Sequence, residues 1–262
     1  MQAAIVIPAY NEARTIRDIV ERSLRQCEQV IVVDDGSTDG TSAELRGLAI
    51  DVITHDRNQG KAASLWDGFA RALEAGAETV VTLDGDGQHR PEDVGSLLAV
   101  ARAYPRRLVI AARTEGRERY PRARYCANRF ADFWLSWAVG QRIVDSQCGQ
   151  RAYPAALLRR VDVRHDHASG FTLESEVLIR AARLGYKTVA VPIPALFDGA
   201  GRASHFRPVR DIARIVLMVA RELLAAGMFP AGLWRALREE PLVVESESIS
   251  PLETPTASRV AT

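Results

Sequence analysis

The chain has 262 residues, of which 47% are hydrophobic, and a formal net charge of +1 at pH 7. It can bury the core of one large domain or two small ones, and its balanced charge gives no indication of nucleic-acid binding. The three cysteines form no CxxC pair, so we expect reduced thiols and not a disulfide framework. No segment approaches the roughly 20 uncharged apolar residues of a membrane span, and no signal peptide is recognisable. We expect a cytoplasmic protein, at most peripheral on the inner face of the membrane.

Five short runs of β-type residues alternate with helical patterns in the first 115 residues. The runs are AAIVIPA, QVIVVDD, DVITH, ETVVTLD and RLVIAA, and segments between them such as KAASLWDGFARALEAG carry apolar residues three or four apart. This alternation predicts an α/β fold with a Rossmann-like, mostly parallel sheet and helices on both faces. Such sheets bind ligands at the carboxyl ends of their strands, where Asp34, Asp35, Asp84 and Asp86 are expected to converge.

The second half of the chain is predicted to be more helical. Helices are expected over residues 122–139 and 173–184, and Pro208 opens an amphipathic helix whose apolar face is more typical of core packing than of a membrane anchor. We expect a main domain over residues 1–207, a C-terminal helical extension over 208–239 and a disordered tail over 240–262. The tail is rich in Ser, Pro, Thr and Glu and has too few apolar residues to pack.

The segment TLDGDGQHRPED places Asp84, Asp86 and Gln88 at alternate positions after an apolar run. Alternate side chains of an extended segment point the same way, so two carboxylates and an amide oxygen can meet one hard cation such as Mg²⁺ or Mn²⁺. Without a cation the carboxylates would repel one another wherever water is partly excluded. The alternative is an acidic turn whose glycines permit positive φ, and spacing alone does not decide between the two.

Several motifs occur in a fixed order at the ends of the predicted strands. They are IVIPAYNEARTI, VIVVDDGSTDGT, RNQGKAASLWDGF and TLDGDGQHRPEDV, followed by DSQCGQRAYP, FTLESEVLIRAARLGYKTVAVPI and SHFRP. Together they resemble the family 2 glycosyltransferases of the GT-A fold over about residues 3 to 212, and within that family the polyprenyl-phosphate sugar transferases of the dolichyl-phosphate mannose synthase type. The resemblance implies that residues 1–207 are a GT-A domain. It also implies an inverting, metal-dependent enzyme that moves a sugar from a nucleotide-diphosphate sugar to a polyprenyl-phosphate acceptor.

The resemblance further implies the residues of a donor site. The nucleoside is expected to lie against Pro8, Tyr10, Glu12 and Asp35, while Asp34 holds the turn. Lys61 begins a helix, where its charge and the unpaired N–H groups favour the diphosphate. Metal coordination is expected from Asp86 directly, from Asp84 directly or through water and the ribose, and from Gln88. His89 is expected to be a packing residue and not a metal ligand.

Acceptor binding is predicted from an arginine-rich region and a loop. Nine Arg lie between Arg102 and Arg129, which suits a lipid phosphate or an anionic membrane surface, although a charge run is usually a solvated face. The resemblance places acceptor or phosphate-binding groups at Arg122, Arg124, Asn128, Arg151, Arg202 and Ser204. The DGAGRASHF loop, with His205, is expected to close over the diphosphate. Gln150 stands where the family usually has an aromatic residue, which bears on the acceptor contacts.

The need for a general base depends on the acceptor. A phosphate monoester is already largely ionised at neutral pH, whereas a hydroxyl, as on a glycan, needs a carboxylate within reach. Glu174 and Glu176 are two apart, so only one of them should face the site. The predicted catalytic residues are Asp86, Arg113, Glu174 and Glu176.

Two alternatives to the polyprenyl-phosphate transferase stay open. One is a glycosyltransferase that acts on a hydroxyl acceptor, and the other is a non-catalytic module that binds a nucleotide sugar. A nucleotidylyltransferase is disfavoured because no GxGxR pattern follows the first strand. Neither the sugar nor the base is fixed by these motifs, because a few pocket contacts set specificity in such folds.

Overall fold

The sheet is mixed, with one antiparallel strand among parallel ones. The structure, a computed structural model, describes residues 1–116, 122–161, 173–196 and 208–245, and of 122–124 and 208–212 it describes only the helix backbone. The strands in these ranges are β1 (Ala3–Ala9), β2 (Val30–Asp34), β3 (Asp51–Thr54), β4 (Thr79–Thr82), β5 (Arg107–Glu115), β6 (Arg151–Pro154) and β7 (Lys187–Pro194). Their order is β3-β2-β1-β4-β6-β5-β7, and only β6 runs antiparallel to its neighbours.

Helices connect most of these strands. They are α1 (Ile16–Leu24), α2 (Thr41–Glu44), α3 (Lys61–Glu74), α4 (Val94–Ala103), α5 (Arg122–Val139), α6 (Ala155–Leu158), α7 (Leu173–Arg183), α8 (Pro208–Ala225) and α9 (Pro230–Arg238), and the 3₁₀ turn Pro91–Asp93 leads into α4. The predicted α/β class with a mostly parallel sheet is confirmed. The five predicted strands and the helices α5, α7 and α8 lie where expected, whereas β6 and β7 were not predicted as strands.

The direction in which successive strands are added to the sheet reverses at β1, and this reversal positions the site. Strands β1, β2 and β3 progress toward one edge, and α3 then carries the chain back to β4 on the other side of β1. Because parallel crossovers are right-handed, this reversal places α1 and α3 on opposite faces of the sheet. Helix α3 packs directly on β1, since a Cβ added to Gly68 would lie 2.3 Å from Val6 Cγ1. A crevice therefore opens between the carboxyl ends of β1 and β4, the usual ligand position in such sheets.

The C-terminal helices pack on α5. Helices α8 and α9 both pack on α5, and the indole Nε1 of Trp137 donates to the carbonyl oxygens of Met228 and Phe229 at 3.0 and 3.2 Å. Ile215, Val219 and Leu223 of α8 are buried, as expected for core packing. None of the helices in the described ranges has the length and apolar character to cross a membrane.

The first residues of the predicted tail are packed. Ala190 of β7 donates its N–H to Leu242 O and accepts from Val244 N–H, both at 2.9 Å, so this segment extends the sheet at its edge. Val244 is buried because it covers the apolar face beside β7. The packed chain thus continues past the boundary at residue 240, and residues 246–262 of the predicted tail lie outside the described ranges.

Candidate functional site

The loop after β4 passes against the end of β1. A Cβ added to Gly85 would lie 3.2 Å from Pro8 O and 3.5 Å from Glu12 Cγ, so a larger residue here would crowd the end of β1. Thr15 Oγ1 donates to Gly85 O at 2.7 Å and fixes the loop from the other side. The predicted nucleoside wall, Pro8 with Glu12, is therefore adjacent to the predicted metal loop.

Lys61 joins two carboxylates at the centre of the crevice. Its Nζ lies 2.7 Å from Asp84 Oδ1 and 3.0 Å from Glu174 Oε1. Burial acts to lower the pKa of Lys61, but the two carboxylates outweigh it and raise that pKa well above its usual value. Burial likewise acts to raise the pKa of Asp84, but Lys61 and His89 hold it below its ordinary value. Lys61 and Asp84 are therefore both ionised. The contacts of Lys61 draw the first residue of α3, the loop after β4 and the start of α7 together.

Asp86 is the carboxylate of this loop that has no ion-pair partner among the described residues. Burial, and then the charge of Asp84, raise the pKa of Asp86 above its ordinary value. Its Oδ1 accepts the Gln88 N–H at 2.9 Å, and no ion pair of Asp86 occurs among the described residues. Two neighbouring carboxylates of which only one has a cationic partner form a position where added positive charge is stabilising.

The residues present fit a divalent cation that also binds phosphate. No group of three or more His, Cys, Asp or Glu side chains in the described parts of the chain is placed to hold a metal by itself. Mg²⁺ is usually bound through one or two carboxylates with substrate phosphates and water completing the shell. Asp84, Asp86 and the Gln88 amide are a donor set of that kind, since the remaining ligands would come from a diphosphate.

Glu174 and Glu176 face different partners, as their spacing on α7 predicts. Glu174 is 7% exposed, and while its Oε1 meets Lys61, its Oε2 is buried without a hydrogen-bond partner in the described structure. Glu176 Oε1 lies 3.4 Å from Arg180 Nη2 on the same helix. Of the two, Glu174 is therefore the carboxylate that faces the crevice.

Arg151 lies beneath the crevice and not on its surface. It is 1% exposed, and its guanidinium donates to the carbonyl oxygens of Cys148, Glu174 and Ser146 at 2.8, 2.8 and 2.6 Å. The prediction that Arg151 binds an acceptor phosphate requires access that this placement does not give. The physical reason is that the tight DSQCG turn leaves its carbonyl groups without backbone partners, and Arg151 supplies their donors.

Arg113 and Asp145 form a buried two-point ion pair. Arg113 Nε and Nη2 donate to the two carboxylate oxygens, each at 2.8 Å, and the Arg113 backbone N–H donates to Oδ2 at 2.9 Å. The two residues are 7% and 3% exposed. Asp145 has a φ of 54°, a conformation in which Asp and Asn are among the tolerated side chains. Arg113, predicted as catalytic, thus anchors the turn that carries Cys148 and Gly149.

His55 contacts a predicted site residue, Asp35. The sequence around His55 did not predict this, because it resembles that of a surface loop. Its Nδ1 lies 2.7 Å from Asp35 Oδ1 and its Nε2 lies 3.0 Å from Asp67 Oδ2. Asp35 also accepts the N–H groups of Gln59 and Gly60, both at 2.8 Å. The carboxylate predicted to contact the nucleoside therefore also holds the turn that precedes Lys61. Only the pairing of β2, β3 and α3 brings these groups together.

The remaining predicted residues are placed in three ways. Asp34 accepts from Ser37 N–H at 3.0 Å and from the Ser42 hydroxyl, the contacts of a residue that holds a turn. Asn128 is partly exposed on α5, whereas of Arg122 and Arg124 only the helix backbone is described. Arg202, Ser204 and His205 lie outside the described residues.

The arginine-rich region does not form one patch. Arg106 lies over the Tyr186 ring at 5.7 Å, and Arg107 donates to Thr188 O at 2.9 Å, so both lie at the start of β5. Arg113 lies six residues further along the same strand, about 20 Å away at the usual rise per residue. The arginine run is therefore divided by β5, with Arg106 and Arg107 at the start of the strand and Arg113 near its end.

Gln150, at the position where the family usually has an aromatic residue, is fully buried. Its Nε2 donates to Arg90 O at 3.1 Å, and its Oε1 has no partner among the described residues. It ties the DSQCG turn to the chain that leaves the metal loop. Its contacts are thus internal to the protein.

The chain is similar to a family model and to several known proteins. Residues 4–164 match the family model described as Glycosyl transferase family 2. The polyprenol monophosphomannose synthase of Mycolicibacterium smegmatis is 31% identical over 199 residues, which cover 72% of this chain and 75% of that protein. The undecaprenyl-phosphate mannosyltransferase of Micrococcus luteus is 32% identical over 213 residues, covering 74% and 83%.

Solved structures share the fold at lower identity. The mannosyl-3-phosphoglycerate synthase of Rubrobacter xylanophilus has a TM-score of 0.68 at 20% identity, covering 87% of this chain and 75% of that one. The glucosyl-3-phosphoglycerate synthase of Mycobacterium tuberculosis, crystallised with Mn²⁺, UDP and phosphoglyceric acid, has a TM-score of 0.64 at 22% identity, covering 86% and 78%. At these identities the likeness extends to the fold alone.

Proposed function

We propose that this chain, which belongs to glycosyl transferase family 2, transfers a sugar with inversion from a nucleotide-diphosphate sugar to a polyprenyl phosphate. The single observation that carries this proposal is the cluster of Lys61, Asp84 and Asp86 at the end of β4, where one carboxylate is paired and the other is not. Two relatives named for mannose transfer involving polyprenol or undecaprenyl phosphate support the acceptor class.

The donor would lie across the crevice between β1 and β4. Pro8, Tyr10, Glu12 and Asp35 would border the nucleoside, while Lys61 would turn its ammonium group toward the diphosphate. Asp84, Asp86 and Gln88 would hold Mg²⁺ or Mn²⁺. Such a cation neutralises the charge that develops on a leaving diphosphate. The raised pKa of Asp86 supports this reading, because a cation beside the partly buried carboxylate would stabilise its charged form.

A phosphate acceptor is favoured because it requires no proton transfer. The acceptor oxygen is already anionic at neutral pH and can attack the anomeric carbon directly. Arg122, Arg124, Asn128, Arg202 and Ser204 remain the proposed acceptor contacts, whereas the burial of Arg151 makes it a positioning residue. A hydroxyl acceptor is the second candidate, because Glu174 Oε2 has no hydrogen-bond partner in the described structure and could accept a proton.

We also propose that one surface of the protein lies on the inner face of the membrane. Three helices together expose apolar side chains: Phe130 and Phe133 of α5, Leu224 of α8, and Trp234 and Leu237 of α9. Trp137 connects these helices, because its ring packs at a tilt against Phe133, with centroids 6.3 Å apart, and its indole N–H donates to Met228 O. Exposed Arg129, Arg221 and Arg238 lie on the same helices and would meet anionic headgroups.

Thermal unfolding with nucleotide sugars tests the donor site. UDP-, GDP- and dTDP-sugars are added with and without Mn²⁺, because a ligand that binds only the folded state raises the unfolding midpoint. We expect one base to give a metal-dependent shift that Asp86→Ala loses while its own midpoint stays close to that of the wild type. Full transfer activity by Asp86→Ala in the presence of a chelator would contradict the metal assignment.

A further inference from the structure

His55 is enclosed by two carboxylates that come from different elements. Asp35 at the end of β2 meets Nδ1, and Asp67 of α3 meets Nε2. His55 and Asp35 have side chains only 5% and 4% exposed, whereas Asp67 is 46% exposed. These two carboxylates are the charged groups that face the ring among the described residues, and the His55 backbone N–H donates to Asp34 O at 2.9 Å.

This geometry selects the protonated ring. A neutral imidazole has one N–H donor, so one of the two nitrogens would present its lone pair to a carboxylate oxygen. Only the imidazolium donates to both partners at 2.7 and 3.0 Å. Burial acts to lower the pKa of His55, but the hydrogen bonds with Asp35 and Asp67 outweigh it and raise the pKa above its ordinary value of 6.5.

Asp35 connects His55 to the turn that precedes Lys61. Its Oδ1 is shared between His55 and the Gln59 N–H, and its Oδ2 accepts the Gly60 N–H. Gly60 has a φ of 95° and immediately precedes Lys61, the first residue of α3. The charge that balances Asp35 therefore also holds the turn that directs Lys61 at Asp84.

We propose that His55, as an imidazolium, is a positioning residue of the donor site: it fixes Asp35 and the Gln59–Gly60 turn, and nucleotide binding weakens when His55 loses its proton. The link to nucleotide rests on the proposed function. The link to the turn does not, because it follows from the hydrogen bonds of Asp35 alone. Hydrogen bonds from charged donors are stronger than hydrogen bonds from neutral donors. Loss of the His55 proton is therefore expected to weaken nucleotide affinity about fivefold.

Nuclear magnetic resonance titration of the full chain tests the positioning claim. The His55 ring and the amides of Gln59 and Gly60 are followed as the pH rises from 6 to 9. We expect the two amides to change with the same midpoint as the ring, and Asp67→Asn to move that common midpoint to lower pH because one carboxylate that favours the charged ring is gone. Asp51→Asn removes the same charge from β3 without touching His55, so it should leave the midpoint unchanged.

Calorimetric titration with UDP and with GDP, each with Mg²⁺, tests the link to binding over the same pH range. Wild-type affinity for the nucleotide that binds should fall about fivefold across the His55 midpoint, the fall should move with Asp67→Asn, and His55→Asn should lose the pH dependence. The inference would be overturned if the Gln59 and Gly60 amide signals do not change with the titration of the His55 ring, or if nucleotide affinity does not depend on pH. If the two amide signals change with the His55 ring but neither UDP nor GDP binds, the positioning of the turn is upheld. That result would instead overturn binding of these two nucleotides at the donor site.

Discussion

Gly149 lies against the carboxylate of Asp84: a Cβ added to Gly149 would stand 2.6 Å from Asp84 Oδ2 and 3.2 Å from Lys61 Nζ. The turn between Asp145 and Arg151 thereby forms one wall around the ion pair of the crevice. The Arg113–Asp145 pair and the buried Arg151 hold that wall in place from behind. A residue 65 positions away in sequence thus defines the space that Asp84 can occupy.

Gly149→Ala should reduce transfer much more than it reduces stability. The added methyl group would push the Asp84 carboxylate from its present position, and displacement of a ligand-binding group by about 1 Å can cost on the order of a hundredfold in rate. Side-by-side measurement of kcat/KM and of the urea unfolding midpoint checks this, with Gly95→Ala on α4 as the control. A Cβ on Gly95 meets only Gln26 Oε1, at 3.5 Å. Equal activity of the two variants would contradict the tight contact.

Asp145→Asn should destabilise the fold by about 3 kcal/mol, because it removes the carboxylate charge that meets the buried Arg113 guanidinium at 2.8 Å. Asn tolerates the positive φ of this position, so the effect isolates charge from backbone strain. Urea denaturation at pH 7 measures it. A matched variant, Asp18→Asn, removes a mostly exposed partner of Arg22 and should cost far less. Equal losses in the two variants would show that the Arg113 pair is not buried as described.

His89→Gln should reduce the acid sensitivity of the protein. Burial lowers the pKa of His89 to about 4, and the attraction of Asp84 only partly opposes it. Because the folded-state pKa lies below the ordinary 6.5, neutral His89 contributes its full stability above pH 6.5 and loses it as the pH falls toward 4. The wild type should therefore lose up to about 3 kcal/mol more than His89→Gln over that range. Denaturation series at pH 7, 6 and 5 measure the difference, and parallel curves would contradict it.

Trp234→Ser combined with Leu237→Ser should weaken binding to lipid vesicles without changing the fold. Both side chains are more than half exposed on α9, so their loss removes apolar contact with lipid and little core packing. Cosedimentation with vesicles that contain an anionic lipid measures the effect. Val52→Ser on β3, an exposed apolar residue at the opposite edge of the sheet, is the control. Unchanged sedimentation of the double variant would contradict membrane contact through this surface.

Local patterns were sufficient to predict much of the fold. Strands β1 to β5 are apolar runs bounded by polar turns. Asp84, Asp86 and Gln88 are close in sequence, so a local pattern is sufficient to group them, and their role as metal ligands stays a prediction. Helices α5 and α7 were predicted within one residue, and Pro208 was predicted to open α8, because the apolar periodicity of these segments is clear.

The remaining features depend on contacts between distant segments. His55 meets Asp35 and Asp67 only because β2, β3 and α3 pack together, and no pattern around His55 indicates it. Arg151 looked like a ligand contact because its family motif is near the site, whereas its burial follows from the carbonyl groups of its own turn. The division of the arginine run by β5 likewise required the strand to be placed in the sheet.

Transfer assays with two acceptors test the central claim most directly. The protein is given the nucleotide sugar that stabilises it, Mn²⁺, and either a polyprenyl phosphate or the polyprenol of the same chain length, and the labelled sugar recovered in the lipid phase is counted. We predict transfer to the polyprenyl phosphate, loss of that transfer in Asp86→Ala, and no transfer to the polyprenol, because only the phosphate offers an oxygen that is already ionised. Transfer to the polyprenol, or to neither lipid, would contradict the account.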